Sequence, residues 1–135
     1  MRFLALLVAA GMTAVAQNRP PEHMEVFRGV SEALANLDAD AFLDQFDRQM
    51  PQYEKLRNQV RDLLGVAQEI GSTIDVISDE GVPHEDEAQK RTLELDWLLK
   101  IDNDEPRRQI VKCQVEKQGK KWKITALEPV EFFKK

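Results

Sequence analysis

Few side chains in this sequence can move a proton or attack a substrate, and their spacing limits the chemistry open to them. Glu94, Asp96 and Glu116 alternate with their neighbours in the same stretches as Lys100, Lys112 and Lys123. Alternate positions of an extended chain share a face. These charges therefore suit cross-strand ion pairs on a solvated surface better than an acid and a base aimed at a substrate. Cys113 lies between Val111 and Val115, with no histidine in the same stretch. A thiol so placed packs as a small apolar group and lacks the base that would make it a nucleophile. His23 follows two prolines, and His84 precedes the acidic loop Glu85-Asp86-Glu87. Carboxylates can attract a hard cation, but this loop lacks the ordered ligand spacing of a calcium site, so no metal is expected. Tyr53, the one tyrosine, carries a hydroxyl that could reach a bound molecule from the start of a helix.

The elements that must position these groups follow from periodicity. Residues 107–133 read as two strand-like runs hinged at Gln118-Gly119. Val111, Cys113 and Val115 alternate with Lys112, Gln114 and Glu116, and Trp122, Ile124 and Ala126 alternate with Lys121, Lys123 and Thr125. Gly119 supplies the positive φ of a tight turn. Upstream, residues 89–102 place Leu93, Leu95, Trp97, Leu99 and Ile101 on one face, with Leu98 the apolar intruder on the other. Ile74 and Val76 mark a shorter strand that ends near Asp79-Glu80-Gly81. Before the strands the period is helical. Residues 23–37 repeat Phe27, Val30, Leu34 and Leu37, and a second helix capped by Asp38 carries Phe42, Leu43, Phe46 and Met50. A third opens at Pro51 and carries Tyr53, Leu56, Val60, Leu63, Leu64 and Ala67. Three N-terminal helices followed by a one-sided, four-stranded antiparallel sheet define an α+β fold in which helical stripes pack on the apolar sheet face.

The start of the chain has a different character. Met1-Arg2, an apolar run over residues 3–10 and the small-residue site Ala14-Val15-Ala16 have the layout of a secretory signal peptide. Export with cleavage after Ala16 is expected, leaving residues 17–22 as a leader and 23–135 as one domain. The apolar run is too short to anchor in a bilayer. Loss of Arg2 leaves 18 basic against 24 acidic residues and moves the formal charge from −5 to −6. Nucleic acid is thereby a poor partner, because phosphate backbones are held by clustered Lys and Arg. A single cysteine rules out an internal disulfide, so the domain must be held by its core.

The element order, the entry to the second helix LDADAFLDQF, the strand TLELDWLLKI and the closing GKKWKITALEPVEFF resemble the nuclear transport factor 2-like superfamily. The resemblance covers residues 24–135 and implies a cone, in which a curved sheet wraps a long helix around a pocket. It brings two function classes into view, ketosteroid isomerase-like or polyketide cyclase-like enzymes and noncatalytic binding or assembly modules. In the enzymes, a strand after the second helix carries the catalytic carboxylate. Here Asp47-Arg48-Gln49-Met50 runs straight into Pro51, leaving no room for that strand.

An isomerase-type site needs a carboxylate base and acidic donors facing inward, and the inward positions assigned above offer only the thiol of Cys113. The expected function is therefore an extracytoplasmic binding module without catalytic residues or cofactor, with an isomerase- or cyclase-like enzyme as the alternative. A pocket would be lined by Phe42, Phe46, Tyr53, Trp97, Cys113 and Trp122, the bulky or polarisable members of the stripes that meet there. The partner would be a small apolar molecule or another protein. The charged outer sheet face suits a monomer or a weak homodimer.

Overall fold

The computed structural model describes residues 21–86 and 88–135. The expected signal peptide, most of the expected leader and Glu87 lie outside them. A 3-10 turn, Glu22–Met24, leads into helix α1, Glu25–Ala35. Val26, Phe27, Val30, Ala33 and Leu34 form its buried stripe. Asp38 caps α2, Ala39–Leu43, by accepting the amide of Ala41 at 3.0 Å. Helix α3, Tyr53–Val66, buries Leu56, Val60, Leu63 and Leu64.

Two helical expectations change. The second helix ends at Leu43, so Phe46 and Met50 are buried from the irregular segment after it. Pro51 stands outside the third helix, which is entered through Gln52 in a left-handed conformation, φ 64°.

The sheet is an antiparallel meander, β1 (Ile70–Gly81), β2 (Lys90–Ile101), β3 (Arg107–Gln118) and β4 (Lys121–Glu128), with β1 and β4 at its edges. Leu93, Leu95, Trp97, Leu99, Ile101, Val111, Cys113 and Val115 are buried as their alternation requires, and Leu98 is exposed. On the outer face the ion pairs exchange partners. Asp96 takes both arms of Arg108 at 3.0 and 2.6 Å, and Glu116 faces Lys90 at 4.0 Å.

Two bulges reset the parity of the outer strands. In β4, Gln114 pairs with Ala126 and Val115 with Ile124, so Thr125 is the extra residue. As a result Leu127 is buried, whereas strict alternation had placed it outside and Ala126 inside. In β1 the extra residue is Ile77, between Val76, opposite Leu95, and Ser78, opposite Glu94. This bulge turns Asp79 onto the face of its partner Leu93, toward the helices.

The last stretch also differs from the sequence reading. Strand β4 stops at Glu128, and Val130–Phe133 form a 3-10 turn that folds back under the sheet. Val130, Phe132 and Phe133 are buried, and the turn packs on α3. Arg107 holds it by donating to the carbonyls of Phe132, at 3.0 Å, and Lys134, while Lys55 pairs with Glu131 at 3.0 Å. Proline at position 129 has no amide to continue the ladder, which is why the strand gives way there.

Candidate functional site

The six candidate lining residues separate into two groups. Phe42, Phe46, Trp97 and Cys113 belong to one packed core, while Tyr53 and Trp122 are half-buried at its margin. The middle of that core is aromatic. Trp97 meets Phe133 edge-on at 5.2 Å between ring centroids and Phe132 at 5.8 Å, and Phe133 meets Phe42 at 5.2 Å. Edge-to-face contacts at this spacing are the favourable ones for rings. Trp97 and Phe42 are fully buried, and the indole N–H of Trp97 donates to Ser72 Oγ at 2.9 Å. The C-terminal turn thus occupies the space beside Trp97. Burial pushes the Cys113 thiol up to about 12, so it stays protonated and unreactive near neutral pH.

One inward-facing ionic cluster stands at the other end of the sheet, and alternation alone had not revealed it. His23, from the first 3-10 turn, brings Nε2 to 2.6 Å from Asp79 Oδ2 and is itself buried. Arg91 donates through Nε to Asp79 Oδ1 at 2.9 Å and through Nη2 to the Asp79 carbonyl at 3.0 Å. Partial burial works to raise the Asp79 carboxyl, but the hydrogen bonds from His23 and Arg91 outweigh it and hold the carboxyl below the usual carboxylate range. The His23 ring also lies 5.4 Å from that of Trp122. The sequence signal for this cluster was two apolar residues in succession, Val76-Ile77, where alternation allows one.

The segment where the superfamily's catalytic strand would run is reduced to one bridge. Phe46 pairs with Ile124 in parallel: Ile124 N–H donates to Gln45 O and Asp47 N–H to Ile124 O, both at 2.9 Å. Asp47 follows at once, but its carboxylate is engaged by the Gln49 amide and by Gln118 Nε2, each at 2.8 Å. These donors, that of Gln49 foremost, hold it below the ordinary range. It therefore serves as an ionised brace for the turn into α3 and is poorly suited to abstract a proton.

Three neighbouring hollows among the described residues lie on the surface. One of about 370 Å³ runs between Glu22, Glu25 and Val26 on one side and Lys120, Lys121 and Trp122 on the other. A second, of about 380 Å³, continues past Trp122 to Asp44 and Lys123, and a third, of about 340 Å³, extends from Lys123 to Asp47. Trp122 lines the first two and Phe46 the third, whereas Phe42, Tyr53, Trp97 and Cys113 line none of the three.

No protein-family model matches the chain, and no curated protein does. Solved structures do match. A nuclear transport factor 2-like protein of unknown function from Shewanella oneidensis aligns over 77% of this chain and 92% of its own, with a TM-score of 0.60 and 15% identity. A scytalone dehydratase-like protein from Novosphingobium aromaticivorans aligns over 87% and 85%, with a TM-score of 0.63 and 10% identity. The Bdellovibrio bacteriovorus protein Bd1075 aligns over 76% of this chain at a TM-score of 0.59 and 14% identity, and the chain spans 36% of that protein's length. At these identities the likeness is one of fold, and it spans both proteins of unknown function and enzyme-like ones.

Proposed function

The chain has the α+β cone fold of the nuclear transport factor 2-like superfamily, and on that premise we propose that it acts by binding another molecule at its surface, without chemistry of its own. The observation that carries this reading is the aromatic plug. Phe132 and Phe133 stand against Trp97 and Phe42 in the middle of the cone, where a substrate of an interior site would have to lie. A ligand needs concave space with a few convergent polar groups, and the inward ionic groups His23, Asp79 and Arg91 are spent on one another. The test is turnover and binding together. Steroid-like and polyketide-like ketones should neither be converted nor bind saturably to the purified domain.

The alternative, an isomerase- or cyclase-like enzyme, draws its support from the His23–Asp79 pair, an inward base held by a carboxylate. Turnover abolished by His23→Gln in a folded protein would replace the binding reading with this one.

The site of action we propose is extracytoplasmic, with residues 1–16 removed. It rests on the charged start, the apolar run and the Ala-Val-Ala site. Mass spectrometry of the exported protein should find Gln17 at the N-terminus, and an intact Met1 would refute it.

A further inference from the structure

We propose that the hollow between the start of β3 and the C-terminal turn is a phosphate site, filled by the phosphate group of a small molecule or by the free ion. The inference rests on the binding reading above and gives it a place and a ligand chemistry.

Alternation along β3 puts Arg107 and Gln109 on the face that carries Val111, Cys113 and Val115, opposite Leu99 and Trp97 of β2. A half-buried guanidinium on the core face of a strand normally meets a carboxylate. Arg107 meets none among the described residues. Its Nη1 donates to the carbonyls of Phe132 and Lys134, while Nε and Nη2 have no protein acceptor and are not buried. The two carbonyls hold the group in place without cancelling its charge. They leave open the edge formed by Nε and Nη2, which can grip an oxyanion with two parallel hydrogen bonds.

The hollow has a volume of about 430 Å³, and around Arg107 its lining carries Arg108, Lys134 and Lys135 as cations and Glu131 as its one side-chain carboxylate. Glu131 is answered by Lys55 at 3.0 Å, and Arg108 by Asp96, with Asp75 beyond it. Arg107, Lys134 and Lys135 then stand without an anionic side chain to pair with among the described residues. A main-chain carboxylate on Lys135 would offset one of the three and leave two. A phosphate monoester brings about −1.5 to −2 charges near neutral pH and three acceptor oxygens, whereas a carboxylate brings one charge. The excess therefore matches a dianion, and phosphate is favoured over a simple carboxylic acid.

The experiment titrates the 15N-labelled protein with inorganic phosphate, phenyl phosphate and benzoate, with ionic strength held constant by sodium chloride. Both phosphates should shift the Arg107 Nε–H and the amides of Phe133 to Lys135 saturably, and the tighter of the two tells the free ion from an ester. Benzoate should not saturate over the same range. Lys134→Gln with Lys135→Gln, exposed positions outside the core, should weaken both phosphates by about tenfold. Arg107→Lys keeps the charge but gives up the fork, and should weaken them as well. Absence of saturable shifts at these positions, equal affinity for benzoate, or undiminished affinity in the doubly substituted lysine variant would overturn the assignment. Saturable shifts confined to the surroundings of Trp122 would overturn it while leaving the binding reading intact, whereas turnover lost in His23→Gln removes that reading itself.

Discussion

His23 and Asp79, 56 residues apart in the chain, meet at 2.6 Å across the open end of the sheet. The contact exists because the β1 bulge at Ile77 turns Asp79 inward and because the first 3-10 turn presents the imidazole above it. It fastens the entry of α1 to the far end of β1, which α1 crosses and touches again where Ser31 meets Ser72 at 3.1 Å.

Replacement of Asp79 by Asn should lower stability by about 2 kcal/mol, the range for hydrogen bonds to a charged group that is partly buried. The pH dependence has a definite sign. The folded carboxyl is held below its usual range, so its contribution is present above the unfolded pKa and is lost as pH falls through the folded one. Chemical denaturation in steps below pH 5 should show a shallower loss in Asp79→Asn than in the parent. Equal slopes would mean that the pair contributes nothing.

Phe133→Ala should destabilise by about 3–5 kcal/mol, because the ring is fully buried between Phe42 and Trp97. Glu131→Gln, two residues away and half-exposed, should stay within about 0.5 kcal/mol. The shortened variant should also acquire an internal void that takes up small apolar molecules. Equilibrium denaturation, with and without a saturating aromatic hydrocarbon, reads both effects, and similar losses for the two variants would place the turn outside the core.

The two tryptophans should rank differently. Trp97→Ala removes a fully buried ring and leaves Ser72 with Ser31 as its side-chain partner, for about 3–5 kcal/mol. Trp122→Ala removes a half-buried ring and should lose about 1–2 kcal/mol. Denaturation curves of the two variants decide the order, and a larger loss at Trp122 would reverse the assignment of core and margin.

Cys113 should react slowly with a thiol reagent in the folded protein and rapidly in denaturant, since burial holds it protonated. Rapid labelling under native conditions would require an opening to the core at β3.

Much of the frame was legible in the sequence because β2 and β3 carry unbroken alternation, from Leu93 to Ile101 and from Val111 to Val115, and α1 and α3 carry unbroken apolar stripes. What alternation misread lies beyond a bulge. Leu127 and Asp79 each sit past one extra residue, and a shift of one residue exchanges the two faces of a strand. Phe132 and Phe133 were misread for another reason. A short apolar run after proline has no period of its own, so only tertiary packing could distinguish a continued strand from a turn folded under the sheet. The candidate lining residues illustrate the same limit. Phe42 and Trp97 do converge, as their stripes require, but whether converging rings enclose space or fill it depends on a third group supplied from the end of the domain.

That dependence orders events in time. A growing chain is made from its N-terminus, and the rings that close the interior belong to residues 132 and 133. Until they are added, Trp97 and Phe42 lack their edge-on partners, and the helices and strands already made can associate only around an unfilled centre. Completion of the fold is thereby deferred until synthesis of the domain has finished. Under the export proposed above, such a delay would keep the chain threadable through a membrane for as long as it is being made.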